Sequence, residues 1–161
     1  MKKIFTCLFA LCLGFGLFGC ASSNNQNADG KVDGSLEEIM TKLYEDIDPS
    51  TLPAMIENTP VTKENEEWFL GTTDLPYEEA LASESQIGSV AHSVVLVRAK
   101  EGEDPAKMMD QIKSSINTHK WVCVGIEDDQ LVLDRAGNLI LVAMNAEHGQ
   151  EFKKKFDSLK K

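Results

Sequence analysis

Cysteine is scarce in this chain, and most of it lies at one end. Of four cysteines, Cys7, Cys12 and Cys20 fall within the first twenty residues, and only Cys123 stands beyond them. With that first segment set aside, a single thiol remains, which excludes an internal disulfide framework. Positive charge is scarce too: 16 Lys and Arg face 26 Asp and Glu. Such a surface is repelled by nucleic acid and by anionic lipid headgroups, so neither a nucleic-acid partner nor a polybasic membrane face is expected. No long apolar run follows residue 19, and nothing there predicts a membrane-spanning helix. There is no G-x-S-x-G elbow, no P-loop and no H-E-x-x-H. His92, His119 and His148 fall in three different predicted elements, without the converging partners a metal needs. No cofactor and no metal are expected, and no catalytic motif is present.

What is present begins with Lys2 and Lys3, followed by residues 4 to 19, apolar or glycine apart from Thr6. The run is shorter than the roughly 20 residues of a membrane span and reads as a secretory signal. It ends in Leu17-Phe18-Gly19-Cys20, which resembles a bacterial lipobox. In such signals the cysteine sulfur is diacylglycerylated with palmitate-like chains, and cleavage leaves Cys20 as the new N-terminus. Two acyl chains make a stable anchor where one is marginal. Phe18 is bulkier than the residue usual at that spacer. Plain secretion is the alternative, although Leu17 is large for a small-x-small cleavage site.

Residues 1–19 are thus assigned as signal, 20–34 as lipidated cysteine and tether, and 35–161 as one globular domain. Removing Lys2 and Lys3 with the signal brings the net charge to about −12. The stretch ASSNNQNADGKVDG (21–34) has only Ala21, Ala28 and Val32 as apolar groups, too few to fold. As flexible coil it spans about 20 Å. Acid is uneven: Asp29 to Asp104 holds 18 acidic and 5 basic residues, while Pro105 onward holds 8 and 9. That asymmetry fits a cation- or amine-binding face; a solvated surface that keeps the protein soluble is the plainer reading.

Within the domain, Ser35 and Glu38 form a capping box ahead of Leu36, Ile39, Met40, Leu43 and Ile47 at helical spacing, with Asp48-Pro49 as the stop. Leu52 to Glu57 reads as a turn of helix with Leu52, Met55 and Ile56 inward. EEWFLG (66–71) reads as a strand ending at Gly71, and EEALASES (78–85) as a second strand. SVAHSVVLVRAK (89–100) is the strongest strand, its contiguous Val94 to Val97 indicating a central position. Asp104 and Pro105 open a second long helix running to about Asn117. WVCVGI, QLVLD and NLILVAMN then read as strands, the last two joined by a hairpin at Gly137. A final helix from about Ala146 buries Phe152, Phe156 and Leu159. This order predicts an α+β domain: an antiparallel sheet of about five strands with helices packed on one side. Cys123 is expected to be a small buried hydrophobe, and His92 a half-buried strand residue.

The segments ENEEWFLG, ASESQIGSVAHSVVLVRAKEGED, KWVCV and LDRAGNLILVAMN occur in that order. With the lipobox, the chain resembles the lipoproteins of Gram-positive, clostridia-like bacteria grouped as domain of unknown function 4358, over roughly residues 36 to 145. The resemblance implies a membrane-anchored extracytoplasmic α+β domain and assigns no functional residues.

The function expected is a lipid-anchored binding or accessory module on the outer face of the cell membrane, meeting an envelope protein or wall component. Trp68, Phe69 and Tyr77 are the candidate contact residues, with the core as the plainer place for Trp68 and Phe69. The alternative is a cell-envelope enzyme using scattered carboxylates such as Glu66 or Asp74. A third possibility is an accessory subunit of a transporter. Glu66-Glu67 beside Trp68 suggests a carbohydrate site, but neighbours on a strand face opposite ways. Glu127-Asp128-Asp129 lacks the spacing of a calcium loop and reads as a solvated turn.

Overall fold

A computed structural model describes residues 30–161. The signal segment, Cys20 and residues 21–29 lie outside them; residues 30–34, expected as the end of the tether, belong instead to the fold, where Val32 is buried in the core and Lys31 bonds the Lys161 backbone. Among the described residues no helix is long and apolar enough to cross a membrane.

The first helix, α1 (Leu36–Tyr44), starts as its capping box dictates. Ser35 Oγ accepts from Glu38 N–H, and the Glu38 carboxylate accepts from Ser35 N–H. It buries Leu36, Ile39, Met40 and Leu43. Ile47 is buried as expected but lies beyond the helix, past Asp46 at φ 68°. The expected turn of helix at 52–57 is instead irregular chain leading into a strand, β1 (Ile56–Pro60). Met55 points outward, 68% exposed, at φ 57°. Pro60, with no N–H to donate, suits the end of an edge strand.

EEWFLG is not a strand. Glu66–Leu70 is a short helix, α2, that buries Glu66, Phe69 and Leu70, an i, i+3, i+4 pattern. Two acids in the first turn and Gly71 in the left-handed conformation, φ 74°, mark its ends. Gly71 is required twice over, because a Cβ there would sit 2.3 Å from Ile116 Cα. That close approach fixes α2 against the end of α3 (Pro105–Ser115), whose N-cap is Asp104 as expected.

The remaining strands are β2 (Tyr77–Ser85), β3 (Ser93–Ala99), β4 (Leu131–Ala136) and β5 (Leu139–Met144). All neighbours are antiparallel, in the order β1-β2-β3-β5-β4. The α+β class and the five-stranded antiparallel sheet are as the sequence implies, with β3 at the centre. Gly137, at φ 58°, turns the β4–β5 hairpin. The last helix is α4 (Gly149–Ser158).

The helices, expected on one side, cover both faces. Leu81, Val94, Leu96, Leu139 and Leu141 pack against α1 and α4. Ala80, Ala82, Val95, Val97, Ile140 and Val142 pack against Phe69 and Leu70 of α2 and Met108 and Ile112 of α3. Strand period two explains the division, since consecutive side chains go to opposite faces. A sheet whose central strand is apolar on both sides needs two covers.

WVCVGI is also not a strand. Residues 116–127 form a strap across one end of the sheet, with Trp121 and Ile126 buried beside Met144. Cys123 at φ 61° breaks the extended run, and the Val122 N–H is spent on Gly88 C=O at 2.7 Å. Cys123 is therefore exposed, not buried. It is expected to alkylate in the native protein about as fast as in the unfolded chain, read by mass after a short pulse of reagent. Protection that disappears on denaturation would contradict its position.

Candidate functional site

Polar burial is concentrated at one end of the sheet. Glu84 of β2 pairs with Ser93 of β3, and Ser93 with Met144 of β5. Along this row Ser83, Glu84, Ser85, His92, Ser93 and Asn145 are all buried. Alternation sorts them by face. Glu84 and Ser93 point to the α2/α3 side, while Ser83 and His92 point to the α1/α4 side. Each face therefore carries its own polar cluster.

On the α2/α3 side, the strap drops Lys120 onto Glu84. The ammonium donates to Glu84 Oε2 at 2.9 Å, with side chains 3% and 8% exposed. It also reaches Trp68 C=O at 3.3 Å and Ser93 Oγ at 3.5 Å. Three rings surround the cation: its Nζ lies 4.9 Å from the Trp68 ring centroid, 5.0 Å from Phe69 and 5.1 Å from Trp121. These distances are within cation–π range. The carboxylate is fully engaged, since Trp121 Nε1–H donates to Oε1 at 2.9 Å and Trp68 Nε1–H to Oε2 at 3.3 Å. Burial pushes the Lys120 ammonium below its ordinary pKa, opposed by the Glu84 charge. The result is an aromatic box closed by one carboxylate and filled by the chain's own lysine.

The box opens onto a groove of about 410 Å³, lined among others by Trp68, Phe69, Glu84, Gln86, Lys120 and Val122. Its rim is apolar. Trp68 is 48% and Val122 66% exposed, and Met55 abuts the same edge, its C=O accepting from Gln86 N–H at 2.9 Å. Among the described residues these three are the exposed large hydrophobics.

On the α1/α4 side, His92 lies just before β3 and is fully buried, rather than half-buried within a strand. Its Nε2 is 2.8 Å from Tyr44 Oη and its Nδ1 is 2.8 Å from Asn145 Nδ2. Asn145 Oδ1 already accepts from Glu147 and His148 N–H at 2.9 and 2.7 Å. Its NH2 group therefore faces Nδ1, which must accept, and the ring proton sits on Nε2. The Tyr44 hydroxyl donates its own hydrogen bond to Ser83 Oγ at 3.0 Å. Burial first, and His148 second, hold the His92 pKa down at about 4. Burial raises Tyr44 to about 12.

Of the candidate contact residues, Trp68 and Phe69 meet in the box. Phe69 is core on its other side, whereas Trp68 is half-exposed rather than core. Tyr77 is elsewhere, at the far end of β2, with Lys63 Nζ 5.1 Å from its ring centroid and its hydroxyl 3.4 Å from Val61 C=O. Glu66 is fully buried and accepts from Lys63 Nζ at 2.8 Å and Leu75 N–H at 2.7 Å, so it tethers the 71–75 loop to α2. Asp74 is exposed, 4.0 Å from the same lysine. Glu127 to Asp129 lie exposed at the start of a short 3-10 turn. Among the described residues no group of three or more His, Cys, Asp or Glu is placed to hold a metal ion.

Glu84, Lys120 and Trp121 are site residues that sequence reasoning missed. One clue was SES closing a strand whose preceding Ala-Leu-Ala is apolar; the other was Lys-Trp directly before an apolar run that finds no strand partner. Compared with protein-family models, curated proteins and solved structures, the chain finds no match.

Proposed function

We propose that the chain is a lipid-anchored, extracytoplasmic binding or accessory module of the cell envelope, and that the groove at Trp68, Glu84 and Lys120 is its binding face. The observation that carries this reading is the placement of the groove relative to the point where the chain enters the fold. Chain enters the fold at Gly30 and Lys31, where Lys31 and Lys161 exchange backbone hydrogen bonds of 3.3 and 3.0 Å. Gly30, Lys31, Gly137, Asn138 and Lys161 share one hollow beside the β4–β5 turn. The Glu84–Ser93–Met144 row is at the opposite end of the sheet. From Tyr77 to Glu84 the strand covers about 23 Å. A domain leashed at Cys20 thus holds its groove on the side away from the leash. The resemblance to domain of unknown function 4358 and the lipobox belong to the same reading.

Three strains test it: Cys20→Ala, Trp68→Ala and a deletion. Cys20→Ala is expected to lose acyl labelling and release the domain from the membrane fraction. Trp68→Ala is expected to stay anchored and folded yet behave as the deletion does. Persistent acyl labelling of Cys20→Ala defeats the anchor; wild-type behaviour of Trp68→Ala defeats the groove as the binding face.

A further inference from the structure

We infer that the aromatic box is a receptor for a small methylated ammonium compound, and that Lys120 is a tethered stand-in which such a ligand displaces. The inference rests on the groove being the binding face and names the chemistry it takes. Three rings at 4.9 to 5.1 Å and a carboxylate at 2.9 Å describe a cation site in full. Rings attract cations through their negative faces, and most favourably those whose charge is spread over methyl groups. A primary ammonium is strongly hydrated and gives up more water to enter such a box. Burial weighs against the Lys120 charge where it sits.

Displacement is built into the strap. Residues 116–127 have neither helix nor strand. Val122 N–H to Gly88 C=O is the backbone bond that seats its central part on the sheet end, while Ile126 N–H to Thr118 C=O closes the strap on itself. Cys123 and Val122 already face solvent. Trp68, the outer wall, is half-exposed, so the box communicates with the groove when Lys120 swings out. A space of about 410 Å³ is the size of a small-molecule pocket rather than a protein interface. Thr59 and Gln86 along it supply polar contacts for the remainder of the ligand. The acid-rich first half of the chain, which contributes Glu84, fits a cationic ligand in charge.

Choline and its neutral isostere 3,3-dimethyl-1-butanol test this with the purified soluble domain, read by tryptophan fluorescence. Choline is expected to bind Lys120→Ala about tenfold or more tightly than wild type, because the competing lysine is gone. The isostere is expected to leave both unchanged, and Glu84→Gln in the Lys120→Ala background to abolish choline binding. Because Lys120→Ala exposes a lone buried charge, wild type carries a second readout, a small fluorophore on Cys123. Choline, and not the isostere, is expected to shift its emission as the Lys120 side chain, three residues away, leaves the box for the groove while Trp121 stays in place. Silence of the Cys123 label at every choline concentration that leaves the fold intact overturns the inference. So does equal binding of choline and isostere by Lys120→Ala. Either failure leaves the Trp68→Ala result in cells to stand by itself, so the binding face and its ligand are judged separately.

Discussion

Glu84→Gln is expected to destabilise the domain by about 3–5 kcal/mol, and Lys120→Met by a similar amount, while the double variant recovers more than half of the summed loss. Each single change leaves one buried charge without its partner. In Glu84→Gln the Lys120 ammonium keeps its three rings and the Trp68 carbonyl but loses the carboxylate 2.9 Å away. In Lys120→Met the carboxylate keeps the two indole N–H donors but stays charged and nearly water-free. Removing both charges removes both desolvation penalties, and the glutamine Oε1 still accepts from Trp121. Denaturant midpoints of the four proteins form the cycle. Additive losses, or singles within about 0.5 kcal/mol of wild type, would show that water reaches the pair and screens it as at a surface.

The elements legible in the sequence were those whose local chemistry and tertiary role agree. Ser35 and Glu38 cap α1 whatever it packs against, and Asp104-Pro105 opens α3 for the same reason. Val94 to Val97 announced a central strand because only a two-sided core accommodates four consecutive β-branched or aliphatic residues. The cover on both sides was implicit in that same run, which a one-sided arrangement of helices leaves half bare.

Two segments were misleading because composition and backbone demand disagree. EEWFLG is short and aromatic enough for a strand, but Gly71 has to pass 2.3 Å (as a virtual Cβ) from the Ile116 backbone. That tertiary contact ends a helix, and the helix sets Trp68 half-exposed beside Phe69, both rings against Lys120. WVCVGI has the β-propensity of a buried strand, yet the sheet already ends in β4 on one side and Pro60-bearing β1 on the other. Its apolar residues plug the open end of the sheet instead, which exposes Cys123 and delivers Lys120. The site was missed for that reason: its cation comes from the misread strap, its outer ring from the misread helix, and only Glu84 from a strand assigned correctly. Nothing local in Lys120 or Trp121 encodes a contact 36 or 37 residues away.

Acidification from pH 6.5 to pH 4 is expected to remove about 3 kcal/mol of stability through His92 alone. The sign follows from the direction of the shift. In the unfolded chain the imidazole titrates near its ordinary 6.5; in the fold it is held at about 4. Between those values the unfolded chain takes up a proton that the native protein refuses, so stability is complete above 6.5 and drains away as pH falls toward 4. The refusal has a structural cause beyond burial. Protonated His92 would present an N–H at Nδ1 to the Asn145 NH2 group, and the amide cannot turn over because Oδ1 holds the Glu147 and His148 N–H groups. Tyr44, kept neutral by a pKa raised to about 12, offers no negative charge in compensation, and His148 adds positive charge nearby. Carboxylates with lowered pKa, such as Asp33, Asp48 and Asp157, exact their own loss below their ordinary 3.8, outside most of this window. His92→Gln, which can still accept from Asn145 and donate to Tyr44, is expected to be less stable at pH 7 but nearly flat between pH 6.5 and 4.5. Denaturation midpoints across that range decide it: an undiminished slope in His92→Gln would assign the acid sensitivity to another group.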